Sequence, residues 1–175
     1  ADADLSNTDN VVLMYSGERR YWKEYTSGTN SYSPQTFNTE HVYPQSLLDA
    51  TNAVTDLHHL RTCDAATNTQ RSNHPFVEGS GSYDLGSSQW YPGDEWRGDV
   101  ARMMMYLNIR YGEDFELVGG LDLFISWNSA DPVSDFEIQR NTVIYSAQGN
   151  RNPFIDNPYL ATLVWGGAPA ENKWN

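Results

Sequence analysis

Cysteine is almost absent: Cys63 is the one thiol in 175 residues. No intrachain disulfide can form, and a chain this long can bury a core without one. Cys63 itself reads as a small buried residue rather than a nucleophile. Long apolar runs are missing as well. Met103-Met104-Met105 is short and adjoins Arg102, so no membrane partner is expected. There is no internal repeat and no long low-complexity segment. No secretion signal is visible and the first residue is alanine, so the chain reads as a processed or trimmed product, which leaves room for a missing N-terminal segment. Length predicts one domain over residues 1–175.

Positive charge is scarce too. Acidic residues outnumber basic ones 23 to 11, for a net charge of −12. A nucleic-acid binder is expected to be basic, so the acidity argues against one unless charge is distributed unevenly. It is. Between Asp94 and Glu137 there are ten acids and three arginines, whereas from Gly17 to Arg71 six acids face five bases. Nine of the eleven bases are arginine, whose planar fork suits phosphate. At seawater-like ionic strength the screening length is roughly 4 Å, so local contacts can outweigh the global field. An acidic surface poor in lysine fits a saline or cold extracellular setting.

Periodicity predicts strands over Val11–Tyr15 and Thr36–Val42, a short helix over Gln45–Asn52 and a helix over Thr62–Gln70. The clearest helix runs from Glu95 to Tyr111, with Trp96, Val100, Met103, Met104, Leu107 and Tyr111 as its apolar stripe and Gly112 as its stop. Gly98 inside it costs roughly 1 kcal/mol relative to alanine, which implies close packing against another backbone. Ser134–Gln148 is a further helix, opened by a Ser134/Glu137 capping box and closed by Gly149. Shorter helices are expected over Leu121–Trp127 and Pro158–Trp165, the latter with Pro158 in its first turn. Glu78–Gly93 reads as a surface loop. The fold class is α+β, helix-rich, with a small antiparallel sheet.

Two segments carry chemistry when taken together: Asn38-Thr39-Glu40-His41-Val42-Tyr43-Pro44, and Asp56-Leu57-His58-His59-Leu60 continuing to Asn68-Thr69-Gln70-Arg71-Ser72-Asn73. Glu40 and Asn68 offer the hard oxygen ligands that Mg²⁺ accepts. His41 is a base that titrates near neutrality. Arg71 carries a phosphate-shaped fork. Those four groups suit a one-metal phosphodiester hydrolase. Adjacent residues of a flat strand point to opposite faces, so Glu40 and His41 can serve one phosphate only if the strand twists or ends there, or if they approach it from two sides.

These segments, with Gln148-Gly149-Asn150-Arg151-Asn152-Pro153-Phe154-Ile155-Asp156, resemble the bacterial endonuclease I family from about Val11 to Trp165. The resemblance implies a secreted or periplasmic bacterial nuclease with an embedded ββα-metal (His-Me finger) motif. It acts on DNA and RNA without sequence preference, leaves 5′-phosphates and works as a monomer. It implies His41 as general base and Glu40 and Asn68 as ligands of Mg²⁺, which Mn²⁺ or Ca²⁺ can replace. Arg71 would hold phosphate or pin the helix end. Arg97, Arg102 and Arg151 are candidate substrate contacts, with a structural role equally weighted. Asp56 and His59 would support the site, and Asp64, by helical spacing under Asn68, would be an outer carboxylate for a metal-bound water.

Each of these residues alone has a plainer reading. A lone histidine is usually structural, Glu40 a solvated strand residue and Asn68 a helix-surface amide. Six tryptophans and eleven tyrosines are mostly packing. Two other classes stay open. One is a zinc hydrolase using His41, His58 or His59, and Cys63, although its ligand set is incomplete and its spacing unusual. The other is a non-catalytic extracellular module that binds Ca²⁺ or a partner through its acidic face.

Overall fold

The computed structural model describes residues 1–174. Six short strands pair into three antiparallel hairpins: β1 (Asn10–Val12) with β2 (Arg19–Tyr21), β3 (Phe37–His41) with β4 (Leu60–Asp64), and β5 (Asp84–Leu85) with β6 (Trp90–Tyr91). Six helices complete the α+β fold: α1 (Ala65–Arg71), α2 (Arg97–Tyr111), α3 (Leu121–Ala130), α4 (Asp135–Gln148), α5 (Pro153–Asp156) and α6 (Tyr159–Trp165). One continuous apolar cluster joins residues from Val12 to Ala161.

The helix α2 is its axis. Every residue from Gly98 to Leu107 is buried, so α2 is a core helix rather than a surface one. Two charged side chains lie inside that span. The guanidinium of Arg102 donates to both Glu137 carboxylate oxygens at 2.7 Å, to the Asp131 carbonyl at 2.8 Å and to Asn128 Oδ1 at 3.3 Å. It therefore ties α2 to α3 and α4. Gly98 meets its expectation: a Cβ there would lie 2.4 Å from the Asp131 carbonyl oxygen, so only glycine lets α2 approach the end of α3. Both glycine stops hold, Gly112 at φ 79° and Gly149 at φ 85°, and the Ser134/Glu137 capping box is formed.

Several boundaries differ from expectation. Residues 14–16 form a turn after a three-residue β1. The helix expected over Gln45–Asn52 is two 3-10 turns, Gln45–Leu47 and Thr51–Thr55. Residues Thr62 to Asp64 are strand, and the helix starts at Ala65 because the Asp64 carboxylate caps it, accepting from the Ala66 and Thr67 amides at 2.9 Å. The Glu78–Gly93 loop contains the β5–β6 hairpin, and Pro158 precedes α6 as its N-cap.

The N-terminal segment is bound to the core. Asp2 accepts from the Thr62 amide at 2.7 Å, pairs with Arg140, and sits 3.2 Å from Arg61 Nε. Arg61, fully buried, also donates to Asp99 and lies between the Trp96 and Phe136 rings, 5.1 Å from each centroid. Burial works to raise the Asp2 carboxyl, and the two arginines outweigh it, so its pKa lies below the ordinary value.

Candidate active site

The β3–β4 hairpin and the helix that follows it bring the chemistry together. Glu40 stands opposite Arg61 in the ladder and His41, the last residue of β3, opposite Leu60. The helix α1 begins directly after β4 and presents Asn68. Glu40, His41 and Asn68 line one open cleft of about 400 Å³, with Thr39, Ser46 and Asn73 on its rim. The strand ends at His41, and both neighbouring residues line the same opening.

Each side chain is oriented by groups that leave one atom free. His41 Nε2 lies 3.1 Å from the Val54 carbonyl. A carbonyl only accepts, so Nε2 carries the proton and Nδ1 keeps its lone pair. Desolvation holds the His41 pKa below its usual value, against the raising effect of that carbonyl. The ring of His59 packs edge-on at 5.6 Å, itself fixed by a 2.7 Å bond to the Ala53 carbonyl. Both imidazoles are thus held by carbonyls of the Thr51–Thr55 turn.

Asn68 Nδ2 donates to Asn38 Oδ1 at 2.7 Å and to the Thr39 carbonyl at 3.1 Å. That orientation leaves the amide oxygen free as an acceptor. Glu40 is 3% exposed, and its Oε1 receives the Tyr15 hydroxyl at 2.8 Å and faces Arg71 Nε at 3.3 Å. With Oε1 committed to these two groups, Oε2 is the oxygen available to a cation. Burial lifts the Glu40 pKa to about 7, against the lowering pull of Arg71, Tyr15 and the His41 amide. Tyr15 was not among the expected site residues. It adopts φ 71°, a left-handed conformation that costs a non-glycine residue roughly 1–2 kcal/mol. Its local pattern is simply that of a strand end, and no sequence signal distinguishes it.

Asp56 organises the turn that holds His41. Its carboxylate accepts from Tyr106 and Tyr111 at 2.7 Å and from Gln148 and the His58 amide at 2.9 Å. Burial would raise this carboxyl, and the four donors outweigh it, so its pKa lies below the ordinary value. The helices α2 and α4 therefore set the position of the turn.

Other expected site residues lie elsewhere. Arg71 is fully buried: it donates to the Val42, Ser72 and His74 carbonyls at 2.9–3.0 Å and lies 4.5 Å over the Phe76 ring. It pins the end of α1 beneath the cleft and does not face it. Arg102 is fully buried against Glu137, which is the structural role of the two weighed equally for it. Asp64, expected as an outer carboxylate, instead caps α1 with Oδ1 and receives Arg20 on Oδ2 at 2.8 Å, and it is not among the residues that line the cleft. Arg151 is held by Asp156, and Arg97 stands 3.8 Å from Asp94. Among the described residues that line the cleft, none is a cation.

The zinc alternative also loses its geometry. His58 is spent on the Asn150 carbonyl at 3.2 Å, His59 on Ala53, and Cys63 is buried with its thiol against the Met14 carbonyl. Among the described residues, no three histidine, cysteine, aspartate or glutamate side chains gather as a metal-binding group.

The chain belongs to the Endonuclease I family, whose model matches residues 1–159. Among its relatives are the extracellular ribonucleases of Bacillus amyloliquefaciens and Bacillus subtilis, 37% and 36% identical over 94% of this chain and 64% of theirs. The extracellular deoxyribonuclease of Aeromonas hydrophila is 30% identical over 58% of this chain and 49% of its own. The chain thus spans slightly under two thirds of the length of the two Bacillus relatives. No helix among the described residues is long and apolar enough to cross a membrane.

Proposed function

We propose that this chain is a metal-dependent endonuclease that hydrolyses phosphodiester bonds in RNA and DNA with little sequence preference, secreted or periplasmic in a bacterium. The observation that carries the reading is the hydrogen bond of His41: Nε2 held on the Val54 carbonyl leaves Nδ1 as the free ring nitrogen, in a cleft shared with an amide oxygen and a buried carboxylate. The β3–β4–α1 unit fits the ββα-metal arrangement. Oε2 of Glu40 and Oδ1 of Asn68 are two hard oxygens of the kind Mg²⁺ accepts, and Mn²⁺ or Ca²⁺ suits the same donors. Two protein ligands leave most of an octahedral shell to water and phosphate oxygens. The ion, when bound, supplies charge neutralisation at the phosphate and at the leaving oxygen.

The chain's own residues do the rest. Nδ1 of His41 takes a proton from water as the water oxygen adds to phosphorus. The bond to the 3′ oxygen breaks and that oxygen takes a proton from solvent water, leaving a 5′-phosphate and a 3′-hydroxyl. The Val54 carbonyl stabilises the imidazolium through Nε2–H. Among the described residues no cation lines the cleft, so the side chains of Gln45, Ser46 and Asn73 are the protein donors there to hold the phosphate, together with any ion. Contacts of that kind carry no base information, which accounts for low specificity.

Single-stranded RNA and plasmid DNA, each incubated with Mg²⁺ and with EDTA, test the reading. Cutting in Mg²⁺ that EDTA abolishes, with 5′-phosphate ends, is expected; cutting that persists in EDTA overturns it. The Bacillus relatives make RNA the first substrate to try. The pH profile gives a second measurement. His41 has a lowered pKa, so at saturating Mg²⁺ the acid limb of kcat/KM should fall below pH 6.5. The Mg²⁺ needed for half-maximal rate should rise as pH drops through about 7, where Glu40 gains a proton. An acid limb above 7 at saturating metal is incompatible with His41 as the base.

A further inference from the structure

The cleft continues into an exposed aromatic surface that the catalytic groups do not use. Thr39 borders both the cleft and a neighbouring depression, and Trp22 borders that depression and a third one containing Lys23, Tyr25 and Asn30. The Tyr25 hydroxyl lies 3.0 Å from Thr39 Oγ1, so the aromatic patch is physically joined to the rim of the cleft. Trp22 is 51% exposed and Tyr25 40%. Lys23 Nζ stands 5.5 Å from the Trp22 centroid, and no carboxylate among the described residues pairs with it. Two accessible rings and an unneutralised ammonium at the edge of a phosphodiester cleft are the parts of a base-stacking platform.

We propose that Trp22 and Tyr25 form a subsite that stacks unpaired bases of a single-stranded polynucleotide whose backbone runs past Thr39 into the cleft, with Lys23 at a phosphate. The proposal rests on the reading of the cleft as nucleolytic. It resolves the charge problem in this acidic chain. A net charge of −12 repels a polyanion at long range, whereas stacking on a ring is short-ranged and survives the salt that screens charge. It also sets a preference: bases in a duplex are already stacked on each other and cannot reach the rings.

The test is binding of fluorescent oligouridylate and oligothymidylate in EDTA, by the full chain and by Trp22→Ala, Trp22→Phe and Lys23→Gln, over a range of NaCl concentrations. Trp22→Ala should weaken binding of one or both single strands roughly tenfold or more, leave the slope of log K against log salt unchanged and spare binding to a blunt duplex. Trp22→Phe should recover most of the loss. Lys23→Gln should reduce the salt slope by roughly 0.7, the value for one phosphate on a single strand. Leu163→Ala, exposed on α6, is the surface control. Equal binding by wild type and Trp22→Ala, no measurable binding by wild type, or equal losses on single strand and duplex would each overturn the platform. The two readings fail separately: degradation of the probe in EDTA refutes metal-dependent cutting, whereas the platform is read from intact probe.

Discussion

Replacing His41 by alanine should lower kcat for RNA or DNA by roughly 10²- to 10⁴-fold, the range for removal of a positioned general base, while leaving the fold intact. The fold should survive because His41 is only half-buried and its ring makes a single hydrogen bond, to the Val54 carbonyl. Glu40, Asn68 and the hydrogen bonds that orient them do not pass through its ring, so Mg²⁺ affinity should also change little. Titration calorimetry with Mg²⁺ alone separates base from ligand. His41→Ala should bind the ion about as well as wild type, whereas Glu40→Gln should bind it poorly. A His41→Ala protein that keeps more than a tenth of wild-type kcat would remove His41 from the mechanism. One that loses Mg²⁺ binding along with activity would instead make the ring a ligand.

Asp2→Ala should destabilise the protein by about 3–5 kcal/mol, the usual consequence of removing one partner from a buried ion pair. Arg61 and Arg140, both buried, would lose the carboxylate they share. Arg61 would retain Asp99, and Arg140 would retain the Leu57 and Leu60 carbonyls at 3.1 and 3.2 Å, which accept hydrogen bonds but carry no charge. For a chain of this size the melting temperature should fall by roughly 10 °C. Asp2→Asn should lose less, because the amide oxygen still accepts. The Asp2 pKa is depressed on folding, so its contribution is complete above the unfolded value of 3.8 and is lost as pH falls through the lower folded value. Urea unfolding at neutral pH is the direct measurement. A loss under about 1 kcal/mol would show that the N-terminal segment does not occupy this position in solution.

The sequence made the helices legible wherever a terminus carries its own chemistry. Gly112, Gly149 and the Ser134/Glu137 box fix ends by local backbone needs that no tertiary contact overrides. The strand β4 was hidden for the opposite reason. Its buried positions are Arg61 and Cys63, so the alternation of burial along Leu60–Asp64 is not an alternation of hydropathy. The D-A-A-T run at Asp64 carried a cap signal, which places the helix start three residues after the expected Thr62.

The site followed the same division. Glu40, His41 and Asn68 stood out in the sequence by residue type and order, and the structure places all three on one cleft. The arginines were not readable. A guanidinium that pairs with Glu137, 35 positions away, looks in sequence like one waiting for phosphate. Arg71 and Arg102 are both spent on the fold. Tyr15 and the Val54 carbonyl went unseen because one orients a carboxylate from 25 residues away and the other is a backbone atom that any residue would supply.

The lone thiol gives the molecule a timekeeper. Cys63 sits fully buried in the strand that pairs with β3, and burial pushes its pKa far above that of a free thiol. An alkylating reagent can reach it only when the hairpin carrying Glu40 and His41 parts from its surroundings. The mass added over time under such a reagent therefore reports the opening of the hairpin that carries Glu40 and His41, as a rate when the reagent outpaces reclosing and as an open population when it does not. Because there is no second sulfhydryl in the chain, all of that mass comes from one position.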